Sequence, residues 1–181
     1  RRIVSAARLM KQKNQLMLIE SFAQIQKDFP DYTLTIYGEG PFRDTLETRI
    51  AELNLTDSVF LPGKVQNVFD CIADADLFVL SSDFEGMPNV VIEAMAVGTP
   101  VISTDCPSGG SAELIENGID GFLVPVGDRK ALCDAMCRLA EDSETVKKLG
   151  KNSVAIKEKL DCTVVAEQWR KYLEYVSNRK S

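Results

Sequence analysis

Short apolar runs alternate with helical stripes along almost the whole chain, and this alternation restricts the fold more than any other feature. The most demanding run is Leu77-Phe78-Val79-Leu80, apolar at four successive positions. A strand with one solvated face alternates in polarity, so an unbroken run fits a central parallel strand covered on both sides. Ile3 to Ala6, Tyr32 to Tyr37, Val59 to Leu61, Pro100 to Ser103 and Gly121 to Val124 read as further strands. Between them lie helices. The first, from about Asn14 to Phe29, carries Leu18, Phe22, Ile25 and Phe29 on one face. Leu46, Ile50 and Leu53 mark a second, Val68, Ile72 and Ala75 a short third, and Pro88 to Gly98 a fourth. Pro62-Gly63 reads as a turn. Asp128 suits the N-cap of a helix carrying Leu132, Met136 and Leu139. The tail reads as one helical segment near Val146 to Lys159 and another with Val165, Trp169, Tyr172 and Val176. Repeated βα units predict an α/β fold, a doubly wound parallel sheet with helices on both faces. No internal repeat or linker interrupts it, so residues 1–181 read as one domain.

Composition narrows the possible functions. The formal net charge is -6, which argues against a general nucleic-acid surface; an anionic ligand needs a local cluster of positive groups. No apolar run approaches the ~20 residues of a membrane span. The start Arg1-Arg2-Ile3-Val4 lacks the layout of a signal peptide. Five cysteines, an odd count with no C-x-x-C pair, point to reduced thiols in a cytoplasmic compartment. Cys133 and Cys137, four apart, read as small apolar residues near a core face. The chain has no histidine, so histidine catalysis within it is excluded and zinc lacks its commonest partner.

The segment from Ser81 to Met95 carries the most chemistry. It leaves the apolar strand, turns at Gly86 and enters a helix at Pro88, with Glu85 and Glu93 on either side of the turn. That places it at the carboxyl edge of the sheet, where open α/β folds bind ligands. Proline suits the first helical position, so Pro88 is expected to start the helix. The free N–H groups of the first turn, from Met87 to Val90, favour an anion. A carboxylate accepts two hydroxyl hydrogen bonds well, as a ribose diol or a hexose presents them. The same spacing fits a helix-dipole role for Glu85 and a solvated Glu93. Arg8 and Lys13 follow the first strand at the same edge and could grip two phosphates, a guanidinium fork and a point charge. Lys11, of the same chemistry with no assigned role, is their control. Gly38-Glu39-Gly40 begins a G-x-G-x-x-G whose third position is Arg43, so it reads as a tight turn near the site and not a dinucleotide fingerprint. Ser108-Gly109-Gly110-Ser111 fits either close backbone approach to a ligand or a plain loop.

Read together in order, these segments resemble the "glycosyl transferases group 1" family of retaining glycosyltransferases. The marks are Arg8 with Lys13, Gly38-Glu39-Gly40-Pro41, Gly63 with Val65, and Ala75-Asp76-Leu77-Phe78-Val79-Leu80-Ser81. They continue with Glu85-Gly86, Glu93-Ala94-Met95-Ala96, Gly98-Thr99-Pro100-Val101-Ile102, Glu113-Leu114-Ile115, Gly118 and Gly121-Phe122-Leu123-Val124-Pro125. The resemblance runs from Arg8 to about Gly150. It implies the nucleotide-sugar-binding C-terminal half of a two-domain GT-B fold, a Rossmann-like sheet. Arg8 and Lys13 would bind the donor diphosphate and stabilise the leaving group. Glu93 would hold the ribose, and Glu85 would orient the transferred sugar. The backbone around Lys64 and Val65 would meet the base, with Gly38 nearby. Gly86, Met87, Pro88, Asn89 and Val90 would line the sugar and diphosphate, several through their N–H groups.

The resemblance also implies metal independence and no cofactor beyond the nucleoside-diphosphate sugar, UDP-sugars being favoured. Asp74-Ala75-Asp76 spells the D-x-D of a different, metal-using class, but it precedes its strand and so belongs at the opposite edge. The implied partners are an N-terminal GT-B domain carrying the catalytic base and an acceptor that is a glycan, lipid or small molecule. A helix from about 163 to 177 would pack on that domain, leaving Trp169 and Tyr172 partly exposed in this chain. On this reading the chain is half of an enzyme and inactive alone. The full enzyme would be cytoplasmic, with room for peripheral association at the inner membrane face. The competing readings are a nucleotide-sugar epimerase or glycogen-type phosphorylase half of the same fold, or a non-catalytic α/β interaction domain.

Overall fold

The computed structural model of the chain describes residues 1–179. Six strands form one all-parallel sheet: β1 (Arg2–Ala6), β2 (Thr33–Tyr37), β3 (Val59–Gly63), β4 (Leu77–Leu80), β5 (Val101–Asp105) and β6 (Phe122–Pro125). Their order is β3-β2-β1-β4-β5-β6. The helices are α1 (Gln15–Asp28), α2 (Arg43–Glu52), α3 (Val68–Ala73), α4 (Asn89–Val97), α5 (Gly110–Leu114), α6 (Arg129–Glu141), α7 (Ser143–Ser153), α8 (Ile156–Lys159) and α9 (Cys162–Asn178). β1 pairs with β2 on one side and β4 on the other, with Ile3 opposite Leu77 and Val4 opposite Phe78. The winding therefore reverses between β1 and β4, and a crevice opens above their carboxyl ends.

The apolar run of β4 divides its side chains between two cores. Leu77 and Val79 join Ile3, Leu18, Phe22, Leu34, Ile102 and Met136 on the face covered by α1, α2 and α6. Phe78 and Leu80 join Val4, Ile72, Val91, Met95, Val101 and Ile156 on the face covered by α3, α4, α5 and α8. All four β4 side chains are buried, as a double-sided strand requires. Each such side chain stabilises the fold by roughly 1.5–3 kcal/mol through apolar burial.

Three expectations are corrected. Pro62-Gly63 is not a turn but the end of β3, where the pairing with β2 shifts register between Thr35 and Tyr37. β3 is an edge strand, the place where a proline's missing N–H costs nothing. The tail segment is two helices, α7 and α8, because the chain bends at Val154-Ala155 to bring Ile156 into the core. Ser153 holds the bend, its hydroxyl donating to the carbonyls of Met95 at 3.1 Å and Gly150 at 2.9 Å. Finally, Pro88 is the N-cap of α4 and not its first residue. Its ψ of 97° is extended while its carbonyl already accepts from Val91 at 3.0 Å.

α9 differs from the other long helices. None of its residues is buried, although Val165, Trp169, Tyr172 and Val176 fall on one stripe. Trp169 is 61% and Leu173 60% exposed. No helix among the described residues is long and apolar enough to cross a membrane.

Candidate functional site

Because β1 and β4 are neighbours, the loops that leave their carboxyl ends meet. The first continues from β1 through a 3-10 turn, Lys11–Lys13, to Asn14, which adopts the left-handed conformation at φ 44° and caps α1 through its side-chain oxygen. The Asn14 amide also donates to Asp83 Oδ1 at 2.7 Å. Asp83 N–H donates to the Gln12 carbonyl at 2.8 Å, and Gln12 Nε2 returns a bond to the Phe84 carbonyl at 2.9 Å. Ser81 Oγ reaches the carbonyls of Lys13 and Asn14, both at 3.1 Å. The two loops thus form one ordered surface.

On that surface Lys13 Nζ pairs with Glu85 Oε1 at 2.6 Å, the two side chains being 20% and 13% exposed. Ser82 Oγ donates to the same oxygen at 2.6 Å. A lysine has three donors, so Lys13 keeps two for another ligand. Arg8 is exposed, and no ion pair engages it among the described residues. Its backbone is anchored by Gln15 Nε2, which donates to the Arg8 carbonyl at 3.0 Å. The N–H groups of Asn89 and Val90 receive no protein acceptor among the described residues, while those of Val91 and Ile92 are spent on Pro88. The Met87 N–H likewise finds no acceptor among them, and Pro88 has none to give, so the free donors at this helix end are those of Met87, Asn89 and Val90, within the expected span from Met87 to Val90.

Two adjoining cavities run along this edge. One, of about 470 Å³, is lined by Arg8, Lys13, Glu85, Met87, Pro88 and Asn89, with Met10 and Gln12. The other, of about 320 Å³, is lined by Tyr37, Gly38, Lys64, Val65, Val68 and Glu93. Ala6, Ala7, Asn89 and Val90 belong to both, so the two form a single groove across the crevice. Its first compartment is polar and carries Arg8 and Lys13. The second is mainly apolar, with Lys64 and one carboxylate, Glu93 on α4, as its charged groups. Lys11 lines neither, in keeping with its place as the control. Gly86 lines neither as well. Tyr37, Val68 and Ser82 had not been singled out; each sits at a strand end or helix start already expected at this edge, and that was their only signal.

The glycines act on backbone. A Cβ on Gly38 or Gly40 would overlap the carbonyl oxygen of Ala7 or Leu9, so these residues let the β2 end lie against the Arg8 loop. Leu9 N–H donates to the Glu39 carbonyl at 2.9 Å across that contact. Gly110 does the same for the Glu85 loop, since a Cβ there would overlap the Gly86 carbonyl oxygen and stand 2.7 Å from its carbon. Ser108 Oγ donates to the Glu85 carbonyl. The Ser108–Ser111 segment therefore braces a neighbouring loop.

Other candidates lie elsewhere. Asp76 Oδ2 accepts from Arg2 N–H at 2.7 Å at the amino edge, and Asp74 pairs with Arg2 at 3.5 Å, so the D-x-D faces away from the groove. No cluster of three metal-ligating side chains occurs among the described residues. Glu113 is exposed, and its carbonyl accepts from Lys159. Burial raises the Cys106 thiol above its usual range. On α6, burial and the neighbouring Cys133 push Cys137 up to about 12.

Comparison with known proteins extends the sequence resemblance. The profile of the family described as "Glycosyl transferases group 1" matches residues 1–155. An exopolysaccharide phosphotransferase of Streptomyces coelicolor is 36% identical over 98% of this chain, which covers 19% of that protein. An uncharacterized glycosyltransferase of Methanocaldococcus jannaschii is 31% identical over 94% of the chain and 49% of its own length. The chain thus spans less than half the length of these relatives. Among solved structures, Anabaena HepE in complex with UDP superposes with a TM-score of 0.88 at 26% identity, over 96% of this chain and 48% of that one. S. aureus TarM, in a complex that includes UDP, gives 0.87 at 27% identity over 94% and 34%.

Proposed function

The chain belongs to the glycosyl transferases group 1 family and has the fold of the C-terminal half of a GT-B glycosyltransferase; on that premise we propose that its groove is the donor site for a nucleoside-diphosphate sugar. The observation that carries this reading is the pairing of the two compartments at the β1/β4 crevice. The apolar one receives base and ribose, with the Lys64-Val65 backbone toward the base and Glu93 accepting from the ribose hydroxyls. The polar one receives diphosphate and sugar, with Arg8, the two free donors of Lys13 and the N–H groups of Asn89 and Val90 around the phosphates. Glu85 stands at the far end for the transferred sugar.

These residue types suit glycosyl transfer. Breaking the anomeric C–O bond leaves negative charge on the departing diphosphate. Fixed cations and helix N–H groups aimed there lower the barrier, and one such donor is typically worth on the order of 10²–10³ in rate. UDP-sugars are favoured because the HepE and TarM structures hold UDP. In this reading the longer protein supplies the acceptor site and the catalytic base. The exposed stripe of α9 covers part of that second domain. Transfer proceeds with retention and without a metal, on a glycan, lipid or small-molecule acceptor in the cytoplasm.

Calorimetric titration of UDP, GDP and ADP against the wild-type chain and Lys13→Ala tests this. We expect one diphosphate to bind the wild type and lose about tenfold or more in affinity with the variant, since Lys13 meets phosphate as a charged donor. Absence of binding by all three, or equal binding by the variant, would refute the assignment.

A further inference from the structure

The Glu85 carboxylate is held asymmetrically. Both of its protein donors, Lys13 Nζ and Ser82 Oγ, converge on Oε1 at 2.6 Å. No donor among the described residues reaches Oε2, and Glu85 lines the polar compartment. The oxygen left for a ligand hydroxyl is therefore Oε2, and its direction depends on what fixes the carboxyl rotation. Lys13 is poorly suited to that task, because its ammonium ends a flexible four-carbon stem and is shared with any phosphate in the groove. Ser82 is well suited. It is 0% exposed. Its carbonyl accepts from Thr104 Oγ1 at 2.5 Å and from Cys106 Sγ at 3.3 Å. Three residues on, Ser108, from the same β5–α5 loop as Cys106, holds the Glu85 carbonyl.

We propose that Ser82 is a positioning residue for the sugar, fixing the Glu85 carboxylate so that Oε2 faces the donor's hydroxyls. This rests on the donor-site reading above. It predicts that Ser82 acts through Glu85 alone, on the sugar and not on the nucleotide.

The test is a titration of the chain with UDP, UDP-glucose and UDP-N-acetylglucosamine, using wild type, Ser82→Ala, Glu85→Gln and the double variant. Ser82→Ala should leave the Kd for UDP within about twofold and weaken the better-bound UDP-sugar by about tenfold, the scale of one charge-assisted hydrogen bond. In the Glu85→Gln background it should add nothing, as expected for two residues acting as a unit. An unchanged UDP-sugar affinity in Ser82→Ala would overturn the proposal, as would an undiminished effect in the Glu85→Gln background. A loss of UDP as large as that of UDP-sugar would overturn it too, since Ser82 would then merely hold the loop together. Equal affinity of the wild type for UDP and both sugars would mean that Oε2 meets no hydroxyl, and would also refute it. Failure of the wild type to bind UDP at all strikes instead at the donor-site reading, and this proposal falls with it.

Discussion

Asn14 performs three tasks, and substitutions can separate them. It sits at φ 44°, its Oδ1 accepts from Met17 N–H at 3.3 Å, and its amide donates to Asp83 at 2.7 Å. Replacement by alanine removes the cap, at about 1 kcal/mol. It also puts a residue that resists the left-handed region there, at about 1 kcal/mol more, and breaks a partly buried tie worth about 1 kcal/mol. The sum is about 3 kcal/mol, or a midpoint lower by roughly 6–12 °C for a chain of this size. Asn14→Gly keeps the backbone conformation at no strain and loses little as a cap, so it should cost only about 1.5 kcal/mol. Asn14→Asp keeps the cap but sets a second carboxylate against Asp83. The pair then titrates at raised pKa in the folded chain, which holds a proton that the unfolded chain has lost. Its stability deficit is therefore full at neutral pH and shrinks as pH falls toward about 4. Urea denaturation followed by circular dichroism at pH 7 and pH 4 measures all three. Equal losses for alanine and glycine would refute the strain argument, and a deficit in Asn14→Asp that ignores pH would refute the tie to Asp83.

Gly110→Ala should destabilise by about 2 kcal/mol, because the new Cβ meets Gly86 backbone, which cannot rotate aside; Gly109→Ala, at φ 78° in open space, should cost less and leave UDP affinity unchanged. Thermal melts with UDP titrations compare the two. Burial raises Cys106, Cys137, Tyr32 and Tyr37 in the folded chain, Cys137 to about 12. Between about pH 9 and 12 the unfolded chain sheds protons that the folded one keeps, so stability should fall as pH rises, less steeply in Cys137→Ala. Trp169 is the only tryptophan, and at 61% exposure its fluorescence should be water-like and readily quenched by acrylamide. A blue-shifted, shielded emission that reverts on dilution would instead show α9 pairing with a second copy.

Much of this was legible because single strands and loops carry their own signatures. The unbroken apolar β4, the 4-3-4 stripe of α1 and the Asp128 cap each follow from residues close in sequence. Gly86 and Pro88 likewise mark the turn into α4, although ψ at Pro88 puts the helix start one residue later. What was not legible depends on residues far apart. Lys13 and Glu85 lie 72 positions apart, and nothing near either announces an ion pair. The same holds for Gly110 against Gly86, where the glycine's reason is another loop's carbonyl. Tyr37 escaped notice because a half-buried aromatic at a strand end looks like core until the groove beside it is seen.

The crevice between β1 and β4 has a consequence for how such a domain diversifies. The end of β2, the loops following β2 and β3, the start of α3 and Glu93 of α4 shape one end of the groove, while the loops following β1 and β4 shape the other. The two sets share only the small residues Ala6 and Ala7 and the first turn of α4. Changes in the loops at one end can retune what is gripped there while the loops at the other end keep their geometry. On the donor-site reading, preference for the nucleotide and preference for the sugar are thus separately adjustable, and exchanging the loops after β2 and β3 between relatives should move the first without the second.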